Sequence, residues 1–235
     1  MRLDKLLSHA GYGTRKEVKS LLKQGILVNG KIVKSGKVHV DPDKDVIEVD
    51  GEILEYSEYV YYMLNKPSGY LCASHDIRYP VVVDLIEDVH ELFCVGRLDL
   101  DTEGLLLVTN DGGFAHHLTS PVHHVPKTYY ARVTGKVEES DKIIFSSPMD
   151  LGDFKAAPSQ LEILESNEEE SICLLTIYEG KFHQVKRMFE KIGHTVIYLK
   201  RISIGNVELD ENLNIGEYRL LSKDEIDRLS GYDML

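Results

Sequence analysis

Residues 96–104 carry an unusual density of ionisable side chains. The segment reads GRLDLDTEG and places Arg97, Asp99, Asp101 and Glu103 between two strongly apolar runs. A charged loop between core strands has its position fixed by the scaffold, which is where catalytic side chains are often carried. Such carboxylates could bind calcium, act as a nucleophile, or form a polar turn in which Arg97 pairs with an acid.

Two of these alternatives fit the spacing poorly. A calcium loop that starts at Asp99 needs Glu at its twelfth position, where the chain has Asn110. A phosphatase that forms an aspartyl-phosphate needs Thr or Val two residues beyond its second Asp, where the chain has Glu103. Taken alone, the segment is best interpreted as a polar turn.

Four segments in a fixed order change that interpretation. Residues 96–113 read GRLDLDTEGLLLVTNDGG, and residues 64–70, 127–129 and 179–188 read LNKPSGY, KTY and EGKFHQVKRM. Together they closely resemble the signature of the RsuA family of ribosomal RNA pseudouridine synthases. The resemblance implies an isomerase that converts uridine to pseudouridine in ribosomal RNA and that needs no cofactor.

The resemblance assigns the central chemistry to three residues. It implies that Asp99 is the nucleophile, that Tyr129 stacks on the target base and accepts its carbon 5 proton, and that Lys186 pairs with Asp99. A carboxylate can hold one fragment covalently, or stabilise a ribosyl cation, while the base turns. A neighbouring cation keeps that carboxylate ionised when it is buried. Arg187, about 100° further around the same helix, is the fallback partner.

Three further residues are implied to support this chemistry. Arg97 is associated in the family with opening the duplex or filling the gap left by a flipped uridine, whose extrusion costs a few kcal/mol. Ile177 matches an apolar position that packs beneath the ring of Tyr129, and Gln184 is a supporting residue. By residue type alone, Tyr129 would be one more core aromatic among 13 tyrosines.

The choice of RNA rests on a shorter resemblance. The segment 70–72, Asp76 and the segment 80–82 are more similar to the small-subunit branch of the family, so we expect 16S-type ribosomal RNA as the partner. A large-subunit synthase and a non-catalytic RNA-binding assembly factor are the alternatives.

The charge is distributed very unevenly along the chain. The formal net charge is −12, yet residues 1–40 carry +7, which leaves −19 for the other 195 residues. Such asymmetry indicates a basic recognition module joined to an acidic body, although a basic face that only aids solubility is the simpler alternative. The candidate RNA-binding side chains of this module are Arg2, Arg15, Lys16, Lys19 and Lys23, and Arg97 and Arg187 are the candidates of the body.

The pattern of residues 1–33 predicts two helices followed by a hairpin. Thr14 and Glu17 form a capping-box signature for the second helix, whose basic face is exposed, and Asn29-Gly30 is a hairpin turn. This arrangement resembles the small RNA-binding domain named after ribosomal protein S4. We place the domain boundary near residue 55, with the RNA-binding domain at 1–55 and the catalytic domain at 56–235.

The remainder reads as an α+β domain with a mixed, largely antiparallel sheet, because strands outnumber helices and do not alternate with them. The clearest helix contains Val185, Met188, Phe189 and Ile192, and a last helix begins at Ser222. Seven strand-like runs are predicted at 59–64, 92–95, 105–109, 128–133, 161–164, 172–178 and 196–199.

Several classes of protein are disfavoured by composition. No apolar run approaches the roughly 20 residues of a membrane span, and residues 1–5 lack the apolar core of a signal peptide. Three widely spaced cysteines favour a reducing cytoplasm. The histidine pairs 116–117 and 123–124 are poor chelates, so we expect no metal and place these histidines in loops near the RNA. We expect a monomer.

Overall fold

The computed structural model describes residues 1–42, 44–54, 56–88 and 90–232. The chain divides into two compact units. The first comprises residues 1–60 together with 87–91, and the second comprises residues 61–86 and the chain from 92 onward. Glu55, where we placed the domain boundary, lies outside the described residues, and that boundary remains a prediction.

The first unit packs two helices on a small sheet. Its elements are α1 (Leu3–His9), α2 (Arg15–Gln24), β1 (Ile26–Val28), β2 (Lys31–Val33), β3 (Ile47–Val49) and β4 (Glu52–Ile53), with strand order β2-β1-β3-β4. The Glu17 carboxylate accepts a hydrogen bond from the Thr14 N–H at 2.7 Å, so the predicted capping interaction is confirmed. Asn29 and Gly30 both have positive φ, as a tight hairpin turn requires.

The second unit contains the remaining elements. Its strands are β5 (Tyr61–Lys66), β6 (Phe93–Cys94), β7 (Glu103–Thr109), β8 (Lys127–Thr134), β9 (Met149–Asp150), β10 (Lys155–Ala156), β11 (Gln160–Ser166), β12 (Glu170–Ile177), β13 (Val196–Ile204), β14 (Val207–Glu208) and β15 (Tyr218–Leu220). Its helices are α3 (Gly112–Thr119), α4 (Glu139–Phe145), α5 (Gln184–Lys191) and α6 (Lys223–Ser230), with short 3-10 turns at Val82–Leu85 and Pro121–His123.

One large sheet organises this unit. Its strand order is β11-β12-β8-β13-β7-β5-β15, with β6 added to β7 and β14 added to β13. The pairing of β13 with β7 is parallel, and the other strand pairings of this sheet among the described residues are antiparallel. The predicted α+β class with a largely antiparallel sheet is therefore confirmed, and all seven predicted strand runs lie on observed strands.

The central strand β7 is buried from Gly104 to Thr109, as expected for a strand covered on both faces. Helices α3 and α6 pack through Phe114, Leu118 and Leu229 into one cluster with Leu105 and Leu107. The predicted last helix is confirmed, because Ser222 caps α6 and accepts a hydrogen bond from the Glu225 N–H.

Helices α3 and α4 were missing from the sequence prediction. Helix α3 begins with two glycines, which hide its pattern, and is fixed by Asp111, whose Oδ1 accepts from the N–H groups of Gly113 and Phe114 at 2.9 and 3.1 Å. The placement of His116 and His117 in a loop was wrong, since both lie on α3. Among the described residues, no helix is long and apolar enough to cross a membrane.

Candidate active site

An open cleft of about 510 Å³ lies in the second unit. Its wall is the loop of residues 95–102 between β6 and β7, together with the start of α5 and the facing side of β8, β12 and β13. Six residues of interest line it: Arg97, Asp99, Tyr129, Ile177, Phe182 and His183. The fold therefore gathers three of the four sequence motifs in one place.

Asp99 lies beside two basic side chains. The Lys186 Nζ is 3.2 Å from Asp99 Oδ2, and the His183 Nε2 is 3.6 Å from Asp99 Oδ1. The side chains of Asp99 and Lys186 are each 24% exposed, so the pair is partly shielded from water, and Asp99 lines the cleft. The carboxylate can therefore be approached by a ligand while a cation stabilises its charge.

Lys186 also contacts Asp101, whose Oδ1 accepts a hydrogen bond at 2.6 Å. Burial opposes the charged form of Lys186, but this hydrogen bond and the charges of both carboxylates outweigh it and raise the Lys186 pKa. Burial likewise opposes ionisation of Asp101, and the same cation outweighs it and lowers the Asp101 pKa. Lys186 therefore remains a cation near neutral pH.

The backbone of the loop is anchored by a lysine from the motif of residues 64–70. Lys66 is fully buried, and its Nζ donates to the carbonyl oxygens of Pro67 (3.0 Å), Asp99 (3.2 Å), Leu100 (3.2 Å) and Thr102 (2.9 Å). Burial lowers the Lys66 pKa. One buried cation thus collects four carbonyl groups, three of which belong to the loop that carries Asp99.

The end of the loop is fixed by a close approach of two strands. Gly104 has φ +97°, and a Cβ at this position would lie 2.2 Å from the Arg201 carbonyl oxygen. Arg201 is 2% exposed, and its Nε donates to the Leu105 carbonyl at 2.8 Å. Only glycine lets β7 and β13 come this close.

Strand β8 places Tyr129 and Lys127 on the same face, since side chains two apart point the same way. Tyr129 is 7% exposed, and Ile177 on the neighbouring strand β12 is 2% exposed; both line the cleft. The Lys127 Nζ donates to the Val125 carbonyl at 2.8 Å. Burial, followed by the charge of Arg201, lowers the Lys127 pKa to about 8.

The start of α5 holds the remaining motif residues. His183 caps the helix with a left-handed backbone at φ +51°. Gln184 is 3% exposed; its Oε1 accepts from the Lys181 N–H at 3.0 Å and its Nε2 donates to Glu179 at 3.1 Å. Gln184 therefore fixes the turn that presents His183 to Asp99.

Of the two candidate partners for Asp99, Lys186 lies beside it and Arg187 does not. Arg187 instead contacts the Asp153 carboxylate, donates to the Leu151 carbonyl at 2.6 Å and lies over the Phe154 ring at 4.8 Å. The fallback pairing is therefore not the one that the structure contains. Arg97 is exposed at the rim of the cleft, whereas its neighbour Leu98 is 6% exposed.

Four of the five candidate RNA-binding residues of the first unit lie on α2. Lys16, Lys19 and Lys23 are exposed, and the side chain of Arg15 lies outside the described part of the structure. Arg2 is 48% exposed in its side chain and pairs with Asp4 at 2.5 Å. Of the four candidates whose side chains the structure describes, three are exposed lysines on α2 and the fourth, Arg2, is paired with an acid.

Sequence reasoning missed three contributors to the site. Lys66, His183 and Asp101 all stood within the quoted motifs, but their contacts depend on chain segments brought together by the fold. Within the described ranges, no group of three or more His, Cys, Asp or Glu residues could hold a metal ion, and the three cysteines are free.

Comparisons with known proteins identify the family to which this chain belongs. The family model described as RNA pseudouridylate synthase matches residues 60–191, and the S4 domain model matches residues 1–47. The first match covers more than half of the chain. The chain therefore belongs to the RNA pseudouridylate synthase family, a family of isomerases, and carries an N-terminal S4 domain.

Individual relatives cover almost the whole chain. An uncharacterized RNA pseudouridine synthase of Bacillus subtilis is 46% identical, with 98% of each chain covered. The ribosomal small subunit pseudouridine synthase A of Haemophilus influenzae is 39% identical, with 97% of this chain and 99% of the relative covered. A crystal structure of a pseudouridylate synthase matches at 40% identity with a TM-score of 0.69, covering 97% of this chain and 99% of that one.

Proposed function

We propose that this chain isomerises one uridine of small-subunit ribosomal RNA to pseudouridine, with Asp99 as the nucleophile. The reaction breaks the bond between uracil nitrogen 1 and ribose carbon 1′ and forms a bond from uracil carbon 5 to the same ribose carbon. Carbon 5 loses its proton and nitrogen 1 gains one, so composition is unchanged. The observation that carries the proposal is the Asp99 carboxylate, held at the cleft 3.2 Å from the Lys186 ammonium.

The environment of Asp99 supports a nucleophilic role. An ionised carboxylate can bond to a sugar or base carbon, or stabilise a ribosyl cation, while the base rotates. The Lys186 ammonium lies 3.2 Å from the Asp99 carboxylate, and the Lys66 hydrogen bonds hold the backbone of the loop. Asp99 is thus a positioned anion rather than a mobile surface acid.

Tyr129 is proposed to stack on the target base and to accept the proton from carbon 5. Its ring lies in the cleft wall, and Ile177 lines the same wall from the adjacent strand. A ring face can hold a base through a rotation because stacking does not fix the direction of the base edges. The phenolic oxygen takes the carbon 5 proton as its own hydroxyl proton passes to water in the open cleft, so Tyr129 acts as a proton relay and ends unchanged.

Access to the base requires that the uridine leaves the RNA stack. Arg97 stands exposed at the rim, two residues before Asp99, and we propose that it fills the gap left by the flipped uridine. The basic residues of the first unit, with Lys16, Lys19 and Lys23 exposed on α2, are proposed to bind the RNA backbone. Residues 1–55 and 56–235 are proposed as the two domains.

The small-subunit assignment is supported by the names of several relatives. Ribosomal small subunit pseudouridine synthases from Haemophilus influenzae and Vibrio vulnificus are 39% and 42% identical and cover at least 97% of this chain. We propose that the protein acts as a monomer in the cytoplasm, where ribosomal RNA is assembled. A large-subunit synthase is the second possibility that the experiment must separate.

The test is tritium release from unmodified small-subunit ribosomal RNA labelled at uracil carbon 5, followed by chemical mapping of the modified site. Wild-type protein is expected to release tritium from one mapped uridine, and Asp99→Asn is expected to release none while still binding the RNA. Release from large-subunit RNA alone would overturn the small-subunit assignment. Tritium release by the Asp99→Asn variant would overturn the assignment of Asp99 as the nucleophile.

A further inference from the structure

Phe182 is a large apolar side chain that the fold leaves in solvent. It is 71% exposed, yet it lines the same cleft as Asp99. Its ring stacks on the ring of His183, with centroids 3.8 Å apart and an interplanar angle of 18°. One face of the Phe182 ring is therefore supported by protein, and the high exposure leaves area for a second flat partner.

The support beneath Phe182 is held in a defined geometry. His183 has a left-handed backbone at φ +51°, a conformation that a non-glycine residue adopts only when its surroundings require it. The hydrogen bonds of the buried Gln184 with Lys181 and Glu179 hold the turn that contains His183 in this conformation. The ring pair is thus presented by an ordered turn.

The charges around this ring pair are those that attract a nucleic acid strand. Arg97 and Lys181 are exposed basic residues of the cleft lining. Proteins that bind single strands combine a cationic groove with aromatic rings on which bases stack. A protein partner is a poorer explanation, because a single aromatic ring among cations is not a broad apolar patch.

The position of Phe182 relative to Asp99 indicates which base of the RNA strand would stack on its ring. His183 lies against Phe182 and its Nε2 is 3.6 Å from Asp99, so Phe182 is one side chain removed from the proposed reacting centre. When a uridine is extruded, its neighbours in the strand each lose a stacking partner. A ring placed one side chain away can replace that partner.

We propose that Phe182, backed by His183, is a stacking platform for the base of a nucleotide directly adjacent to the flipped uridine. The inference rests on the proposed function, since it takes the RNA strand as substrate. It assigns Phe182 to recognition of the flanking strand, separately from Arg97 at the vacated position. Because every base has a flat face, the platform adds affinity with little sequence preference.

The experiment begins with tritium release from the small-subunit ribosomal RNA transcript, which locates the target uridine. Short synthetic RNAs that span this uridine then carry 2-aminopurine at one adjacent position each, because stacking quenches its fluorescence. They are bound to protein with the Asp99→Asn substitution, so that no turnover intervenes. Phe182→Leu keeps an apolar side chain without a ring face, and Phe182→Tyr keeps the ring. Ile143→Ala is the matched control, since Ile143 is 70% exposed on α4.

Quenching at one adjacent position is expected with Phe182 and with Phe182→Tyr, and its loss is expected with Phe182→Leu. In protein that keeps the native Asp99, Phe182→Leu is expected to lower kcat/KM for tritium release by about 5-fold to 100-fold, mainly through a higher KM. This is the range expected for the loss of one base–aromatic stack. Ile143→Ala should change neither readout. If the wild type releases tritium, but 2-aminopurine is not quenched at any adjacent position and Phe182→Leu has an unchanged kcat/KM, the platform is overturned while the proposed function stands. No release by wild type from any ribosomal RNA would overturn the proposed function, and the platform with it.

Discussion

The Nζ of Lys66 lies 3.2 Å from the carbonyl oxygen of Asp99, while the Nζ of Lys186 lies 3.2 Å from the Asp99 carboxylate. Two lysines therefore fix the same residue from opposite ends, one through its backbone and one through its side chain. The first is fully buried, and the side chain of the second is 24% exposed. Their loss should have different consequences.

Lys66→Met is expected to lower both stability and turnover. It removes the Lys66 hydrogen bonds to the carbonyl groups of Asp99, Leu100 and Thr102. The first two carbonyls keep backbone N–H donors, whereas the Thr102 carbonyl loses a buried bond, so a cost of about 1 to 3 kcal/mol in the free energy of unfolding is expected. A loop displaced by about 1 Å loses about 100-fold in kcat. Urea unfolding and tritium release measure the two effects, and a fully active, fully stable variant would contradict the anchoring role.

Lys186→Met is expected to lower kcat by about 100-fold or more, because Asp99 and Asp101 lose the cation between them. Arg187→Met is the companion variant. It removes contacts to Asp153 and Leu151, so it should affect the free energy of unfolding more than kcat. Equal kcat losses in the two variants would argue against a specific Lys186–Asp99 interaction.

Arg97→Ala is expected to weaken activity on structured RNA more than on an unpaired uridine. The unstacking cost of a few kcal/mol is paid only when the target base starts inside a helix. Tritium release from a hairpin and from a single-stranded RNA with the same local sequence measures the difference. Equal losses on both substrates would remove Arg97 from base flipping and leave it as a general RNA contact.

Replacing Lys16, Lys19 and Lys23 by Gln is expected to weaken RNA binding and flatten its salt dependence. Each lost phosphate contact lowers the slope of log affinity against log salt by about 0.9, so a reduction of about 2 to 3 is expected. The matched control replaces three exposed lysines of the second unit, Lys155, Lys191 and Lys223. Fluorescence anisotropy at several salt concentrations gives both slopes. The same reduction in the control would show that position on α2 does not matter.

Glu225 should make stability depend on acid pH. It is 8% exposed and accepts hydrogen bonds from Arg219 at 2.8 and 2.9 Å and from the Ser222 N–H at 2.8 Å. The Arg219 hydrogen bonds lower the Glu225 pKa to about 2. Because the unfolded value is about 4.3, this stabilisation is complete above that pH and is lost as pH falls towards 2.

Glu225→Gln is therefore expected to lower the free energy of unfolding by about 2 kcal/mol at pH 7, with a difference that shrinks between pH 4.3 and 2. Urea unfolding at pH 7, 4 and 2.5 measures it, and Glu211→Gln at an exposed acid is the control. An undiminished difference at pH 2.5 would mean that Glu225 acts through packing rather than charge.

Much of the fold could be predicted because its strands are strongly patterned. The apolar runs of β7 and β12 are visible in the sequence, and Ser222 marks the start of α6. Helix α4 was missed because it has only seven residues, and two of its apolar residues, Ile143 and Ile144, are exposed. Short helices of this kind are fixed by tertiary contacts more than by their own pattern.

The site was predicted unevenly for a similar reason. Asp99 and Lys186 were named from ordered motifs, and their proximity follows once β7 and α5 are assembled. Lys66 precedes a proline in a motif that reads as a surface turn, yet it is fully buried. Three of its four acceptors, the carbonyl groups of Asp99, Leu100 and Thr102, lie more than thirty positions later in the chain, so no local pattern could indicate its burial.

The parallel pairing of Glu103 on β7 with Lys200 on β13 joins residues about a hundred positions apart. Contacts of such separation form late, because a long loop must close before they are made. By contrast, α1 to β4 are complete within the first 54 residues. During translation the S4 domain can therefore take shape long before β13 has been synthesised, so a growing chain is expected to acquire affinity for RNA well before it acquires the ability to modify it.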